Sequence, residues 1–570
     1  MVAMHVLSAA EMQACYRATT ERFGIPSIQL MRAASLAVAA FVREQFPNAQ
    51  RVTVLCGRGN NGGDGMMTAR LLADAGLAVT TLLLGAPEQL AGDAAVAWAE
   101  LNRPKSGKIH IVANAEALAR HSDALEADLI VDAVLGTGFK PPLKGLALAV
   151  CEWLRQSRAS VLAVDLPSGW PADETSATAG GPVLHPSDKD LSPGAPVFPA
   201  DAVITFTAPK CAHVFGQLTR RWDQPVVVAP IGSPDAAIVS ALQLDWAGSS
   251  LTLAQAPRAA AANKGNFGHV LVVGGTFGTA GGKAGAPAMT ALGAMRAGAG
   301  LVTAAVPAPA LQVISSFAPE LMTWPLAATR EGHISAKNLE KKQIALLIAG
   351  KTVLAIGPGL GQSAETSRFV AGLLGATKMP AVIDADALNI LAAKPALLKR
   401  LAKGRFVVLT PHPGEMARLA GITVAEVQAN RLETARGYAQ RMGLTLVLKG
   451  ARTLIAHPDG RVAINTSGNP AMAKGGSGDL LTGLIAGLVA QYPDRAAQAV
   501  EAAVYLHGLA ADLAVHNGDE HTLLATDSLA QLARAFQSHT HDFEVNGKTG
   551  YVWLQGGIAC SALSAHAAAR

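Results

Sequence analysis

Residues 57–65 read GRGNNGGDG, between the apolar run VTVLC at 52–56 and a helix-forming stretch at 66–76. Gly57, Gly59 and Gly62 have the spacing G-x-G-x-x-G between a strand and a helix. In a dinucleotide fold such glycines let the backbone approach a pyrophosphate at a helix N-terminus. Two features oppose an ordinary dehydrogenase. The next strand, AVTTLLLG at 78–85, ends without the acid that would hold ribose hydroxyls, and Asp64 puts a carboxylate where a pyrophosphate would sit. The common phosphate loop also fails, because Gly63 and Asp64 stand where Lys and Ser or Thr are needed. The amides of Asn60 and Asn61 with the Asp64 carboxylate suit hydrogen bonding to a polar ring, or coordination of a hard cation by oxygens. A plain Gly-rich turn with Asn in left-handed conformations would use the same residues.

Two further stretches join this loop. VDAVLGTGFKPP at 131–142 and VDLPSGW at 164–170 place Asp132 and Asp165 at the carboxyl ends of apolar strands, each before a Gly turn. In a doubly wound sheet those ends face one crevice. A single strand-end acid could merely cap a helix; two beside an amide-rich loop indicate a site.

The rest of the chain fits that fold class. Its 570 residues exceed one core, 50% are hydrophobic and 16% charged, and the net charge is +5 with Lys and Arg scattered, so no nucleic-acid partner is expected. The five cysteines, Cys15, Cys56, Cys151, Cys211 and Cys560, form no CxxC pair, which suits a reducing, cytoplasmic setting. The N-terminus lacks signal-peptide character, and no apolar run approaches the roughly 18 to 20 residues that cross a bilayer, so no membrane role is expected.

Helical segments at about 8–22 and 29–45 come first, then strands alternate with helix-length segments, which implies a parallel sheet covered on both faces. A second alternating series starts at HVLVVGG (269–275) and includes a hairpin turn at Pro458-Asp459-Gly460. The expected organisation is an α/β domain at 1–235, a linker at 236–265, a second α/β domain at 266–540 and a poorly ordered tail at 541–570. A Pro-, Ser- and Gly-rich stretch at 173–197 reads as a surface insertion.

In this order, GNNGGDG, VDAVLGTGF, DLPSG and FTAPK resemble the NAD(P)H-hydrate epimerase domain over about 1–235. The resemblance implies a Rossmann-like three-layer α/β sandwich, epimerisation at C6 of the hydrated nicotinamide ring and a potassium ion. By motif position, Asn61, Asp132 and Ser168 correspond to potassium ligands. Asn60, Asn61, Gly62, Gly63, Asp64, Gly136, Thr137, Gly138, Phe139, Lys140, Pro141, Pro142 and Asp165 correspond to hydrate-binding residues. Inverting a hydroxyl-bearing carbon needs proton transfer, and Asp165 is the expected general acid or base.

The second half is densest at AMAKGGSGDLLTGLIAG (471–487), where Gly475, Gly476, Gly478 and Asp479 open a helix. Successive backbone N–H groups and the helix dipole make an anion pocket there, and the Asp at its edge is placed to take a proton from a hydroxyl. KGART (449–453), GPGLG (357–361) and the PHPGE around His412 are loops at strand ends, where ligand crevices are built.

GGxGD with KGxxT upstream resembles the ribokinase-like superfamily. NKGxFGHVLVVGG at 263–275, with AGAGLVT, GPGLG, DADALN and TPHPGE, narrows it to ADP-dependent NAD(P)H-hydrate dehydratases over about 250–538. That resemblance implies ADP as co-substrate and places Lys449, Gly450, Ala451, Arg452, Thr453 and Gly478 at the nucleotide. Ala286, Gly361, His412 and Asp479 fall at the hydrate, with Asp479 catalytic. Magnesium is expected from phosphoryl-transfer chemistry. Small-molecule partners, NADHX, NADPHX and ADP, and a homo-oligomeric state complete the expectation. The alternative is a ribokinase-like small-molecule kinase fused to a nucleotide-binding module.

Overall fold

The computed structural model describes residues 4–104, 106–176, 195–279, 281–516, 518–540 and 550–557. Most of the expected insertion at 173–197, and the tail at 541–549 and 558–570, lie outside the described residues. Two compact units result, one built from 4–244 with the chain's last segment and the other from 245–538.

In the first unit, helices Ala9–Glu21 and Ser27–Gln45 precede the sheet; Ser8 and Glu11 close a reciprocal cap on the former. The eight strands run in the order Val552–Gln555, Val226–Ala229, Ala202–Phe206, Ser160–Val164, Leu129–Ala133, Arg51–Cys56, Ala78–Leu84, Lys108–Val112. Pairing is parallel throughout except at the outermost strand Val552–Gln555. From Arg51–Cys56 the chain builds outward in one direction, then returns to add Leu129–Ala133 on the other side. The crevice between those two strands is the topological switch point, where such sheets bind ligands. Apolar clusters cover both faces.

Two expectations change here. The helix after Cys56 begins at Asn60, not 66, and runs Asn60–Asp74. Its glycines serve contact: a Cβ at Gly62 would lie 1.9 Å from Gly57 O, and one at Gly65 would lie 2.5 Å from Ala133 Cβ. The tail beyond 540 holds a strand as well. Tyr551 and Trp553 are buried against Phe41, and the Tyr551 hydroxyl donates to Ala37 O at 3.0 Å. Burying a large aromatic side chain contributes about 2–3 kcal/mol, enough to draw that segment into the sheet.

The second unit has a ten-stranded sheet in the order Met322–Leu326, Leu301–Pro307, His269–Val273, Val353–Ile356, Ala381–Ile383, Val407–Leu409, Thr445–Leu448, Leu454–Ala456, Val462–Ile464, Leu244–Trp246. The first seven are parallel, and the expected hairpin pairs Leu454–Ala456 with Val462–Ile464. Part of the expected linker is therefore folded: Trp246 is buried and its indole N–H donates to Thr466 Oγ1 at 2.8 Å, while Ser250 donates to Glu501. Its Ala-rich composition masked those anchors. Helix Ser477–Gln491 packs backbone to backbone on Gly285–Arg296, since a Cβ at Gly483 would lie 2.0 Å from Thr290 O. That close approach fixes where the helix N-terminus points.

Candidate active sites

In the first unit a cavity of about 500 Å³ opens at the switch point, lined by Asn60, Asn61, Asp64, Gly136, Thr137, Gly138, Phe139 and Asp165. Tyr16, Arg58 and Phe206 complete its walls. Among the other expected hydrate residues, Gly62 and Gly63 are buried, with Gly63 against Met31, and Lys140, Pro141 and Pro142 do not line it.

Asp165 forms the cavity's charged wall. It follows strand Ser160–Val164 with φ at +67°, a left-handed conformation that a non-glycine residue holds only under constraint. The constraint is visible: His213 Nε2 donates to Asp165 O at 2.7 Å, while His213 Nδ1 accepts the Lys210 N–H at 3.0 Å. Four donors meet the carboxylate. Lys210 Nζ and Thr205 Oγ1 reach Oδ1 at 2.7 and 2.9 Å; the Thr137 N–H and hydroxyl reach Oδ2 at 2.7 and 2.6 Å. Burial opposes ionisation, but the Lys210 charge and these bonds outweigh it and hold the carboxyl well below its usual range. His213 adds no charge at neutral pH, because burial and Lys210 push it down to about 4.

Asp64 lies in the same cavity under opposite conditions. Its backbone O accepts from the Ser35 and Thr68 hydroxyls, but among the described residues no donor meets its carboxyl. Burial and the facing Asp165 charge raise it well above the ordinary carboxylate range. One cavity thus holds two carboxyl groups pushed in opposite directions, which is how acid and base roles are separated.

Asp132 and Ser168 sit deeper. Ser168 Oγ donates to Asp132 Oδ1 at 2.6 Å and accepts the Leu135 N–H at 2.8 Å. Burial lifts Asp132 to about 6 against the Ser168 and Val134 bonds. The Asn61 side-chain oxygen and nitrogen are both buried without a partner. A buried amide oxygen without a partner is a ligand that a hard monovalent cation takes, and the carboxylate and hydroxyl of Asp132 and Ser168 are oxygen ligands of the same kind, so the donor types of Asn61, Asp132 and Ser168 fit potassium.

In the second unit the loops after the parallel strands converge on the start of helix Ser477–Gln491. Its N-cap, Gly476, has φ at +94°, and no side chain caps it. Among the described residues, the N–H groups of Gly478 and Asp479 meet no acceptor, the Ser477 backbone faces His507, and the first intrahelical bond is Leu480 N to Gly476 O at 3.1 Å. Two free amides at a helix start form an anion site. Lys449 Nζ stands beside them, 2.9 Å from Asp384 Oδ1 and 3.8 Å from Glu415 Oε2. A Cβ on Gly478 would be 3.4 Å from that nitrogen, so glycine keeps the lysine and the amides facing one volume. Burial and the Asp384 charge, partly offset by Lys449, raise Asp479 to about 7.

The other expected residues divide. A Cβ on Gly359 would lie 3.3 Å from Ala286 Cβ, and one on Gly361 would lie 3.0 Å from His333 Nδ1, so the GPGLG loop packs against Ala286 and His333. His412 Nδ1 accepts the Gly414 N–H at 3.0 Å as a helix cap. Arg452 turns inward, donating to Thr466 O at 3.0 Å, and Thr453 Oγ1 bonds Gly450 O at 2.9 Å.

A family model described as YjeF-related protein N-terminus matches residues 27–212, and one described as NAD(P)H-hydrate dehydratase matches 270–534. The bifunctional NAD(P)H-hydrate repair enzyme of Moorella thermoacetica is 40% identical over 539 residues, covering 92% of this chain and 95% of its own. The chain belongs to the bifunctional NAD(P)H-hydrate repair enzyme family. That of Coxiella burnetii is 36% identical over 89% of this chain and 95% of its own. An ADP/ATP-dependent NAD(P)H-hydrate dehydratase from Bacillus subtilis, crystallised with ATP and Mg2+, is 33% identical over 50% of this chain and 96% of that one, at a TM-score of 0.42.

For this member of the repair-enzyme family, sequence reasoning missed Lys210, His213, Tyr16 and Asp384. Lys210 closes the quoted FTAPK motif, yet its partner lies 45 positions earlier. Tyr16 sits in a helix whose pattern signalled packing alone. Asp384 opens DADALN, and its bonds to Lys449 and Thr482 were not legible from spacing. Among the described residues no helix is long and apolar enough to cross a membrane.

Proposed function

We propose that the first unit interconverts the R and S hydrates of NADH and NADPH at C6, and that the second converts the S hydrate to NADH or NADPH using ADP, giving AMP and phosphate. The observation that carries this reading is Asp479, raised to about 7 beside two acceptor-free amides and Lys449. A hydroxyl leaves a reduced pyridine ring poorly. Asp479 takes its proton as the oxygen attacks the terminal phosphoryl of ADP, and AMP departs. The amides of Gly478 and Asp479 and the Lys449 ammonium stabilise charge developing on that phosphoryl. Phosphate then leaves with the C6–O bond as C5 loses a proton, which restores the double bond. Magnesium would accompany the nucleotide phosphates and offset their charge.

In the first unit, Asp64 protonates the C6 hydroxyl as the C6–O bond breaks to water and a ring iminium, and Asp165 takes a proton from the water that re-adds to the opposite face of C6. Asn60 and the 136–139 loop hold the ring, and proton return from Asp165 to Asp64 resets the pair. Potassium, held by Asn61, Asp132 and Ser168, would pair with the orphaned amide oxygen and offset nearby carboxylate charge.

The test is incubation of chemically hydrated NADPH with ADP while reduced-nicotinamide absorbance is followed. Wild type restores both epimers, whereas Asp165→Asn restores only the S fraction. Replacing potassium with sodium slows the R fraction alone. No recovery with ADP, or full recovery of both epimers by Asp165→Asn, defeats the assignment.

A further inference from the structure

The DADALN stretch at 384–389 carries two carboxylates that the proposed reaction does not use, and they face different loops. Asp384, 2% exposed, accepts from Lys449 Nζ and from Thr482 Oγ1, each at 2.9 Å. It thereby ties the KGART loop to the first turns of helix Ser477–Gln491. Asp386 accepts the Gly361 N–H at 2.8 Å and Gln362 Nε2 at 3.1 Å, with Lys283 Nζ at 3.7 Å. It therefore fixes the GPGLG loop. Between them Ala385 has φ at +52°, in the left-handed region. A Cβ on Gly357 would lie 1.8 Å from Asp384 O, so the backbone of Asp384 is wedged against the neighbouring strand end. A non-glycine residue held left-handed beside such a contact is set by its surroundings.

We infer that Asp384 and Asp386 are positioning residues with divided duties, Asp384 ordering the nucleotide half of the second crevice and Asp386 the hydrate half. The inference rests on the dehydratase reading for the identity of the two ligands. Asp384 is buried and acts through its partners; it holds Lys449 where a terminal phosphoryl would sit, and through Thr482 it fixes the helix that presents the free amides. Asp386 holds the Gly361 amide, so its loss loosens the loop assigned to the hydrate. A shared structural role would make the two residues behave alike.

The experiment compares Asp384→Asn with Asp386→Asn in the full chain, near-isosteric changes that keep the side-chain shape. ADP binding is measured by calorimetry and both KM values by steady-state kinetics on the S hydrate. Asp384→Asn is expected to weaken ADP binding by about fivefold or more and to lower kcat by about tenfold, with the hydrate KM within about twofold. Asp386→Asn is expected to raise the hydrate KM by about fivefold and leave ADP binding within about twofold. Thr482→Val removes one bond to Asp384 without touching its charge and should reproduce the ADP effect in weaker form; it decides the matter if Asp384→Asn does not fold. Parallel changes in both parameters for both residues, or no change in either, overturn the inference. Calorimetry reads the ADP half independently of turnover: a wild type that binds ADP but leaves the hydrate unconverted refutes the dehydratase reading, while the contrast in ADP binding still judges Asp384.

Discussion

Lys210 Nζ lies 2.7 Å from Asp165 Oδ1, and the lysine is 1% exposed. A buried ion pair contributes modestly as a whole, but removing one partner strands the other's charge at a cost of about 3–5 kcal/mol. Lys210→Met should destabilise the first unit by about that much in urea unfolding, and adding Asp165→Asn should recover a large part of it. The pH sign follows from Asp165. Its folded value is below its unfolded one, so the pair stabilises above pH of about 4 and that stability is lost as pH falls. Lys210→Met should flatten this acid loss. A single variant costing under about 1 kcal/mol would show that the pair holds nothing.

The strands that build both crevices were legible because each is a short apolar run ending in Gly, Asp or Pro, and Asp132, Asp165 and Asp479 stand where those patterns put them. What was hidden depends on contacts distant in sequence. The Tyr551 and Trp553 strand lies in a short segment near the end of the chain, and its burial depends on Phe41 and Ala37. The helix start at Asn60 was obscured because glycines at 62, 63 and 65 lower helix propensity, whereas the fold uses them for close approach to Gly57, Met31 and Ala133. Trp246 looked like part of a linker until Thr466, 220 positions later, supplied its partner.

Gly136 offers a test of the first cavity's shape. A Cβ there would meet Asp165 Oδ2 at 2.8 Å and Asn61 Cγ at 3.2 Å. The tighter contact is with Asp165 Oδ2, so the carboxylate must shift against the Thr137 bonds that hold that oxygen, and Asn61, which has no partner, gives way beside it. Gly136→Ala should therefore cut R-to-S conversion by about 10²-fold, the low end for a lost proton-transfer geometry, at a stability cost of about 1–3 kcal/mol. Its potassium response should vanish, and S-hydrate dehydration should match wild type. Wild-type epimerisation in this variant, measured by chromatography of the two hydrates, would place the reaction elsewhere.

Asp479 gives the sharpest pH test, because burial and Asp384 raise it to about 7 and a general base works only when ionised. Dehydratase kcat/KM for the S hydrate should rise with pH through a midpoint near that value, and Asp479→Asn should lower it by about 10²–10⁴-fold. Stability runs the other way. The folded value exceeds the unfolded one of about 4, so the folded second unit retains a proton that the unfolded chain releases, and its stability falls as pH rises through that window. Asp479→Asn removes the ionisation and should raise the melting temperature at pH 8 while leaving it near wild type at pH 4. Activity that stays flat from pH 6 to 8, together with an unchanged melting temperature at pH 8, would mean that Asp479 is neither raised nor the base.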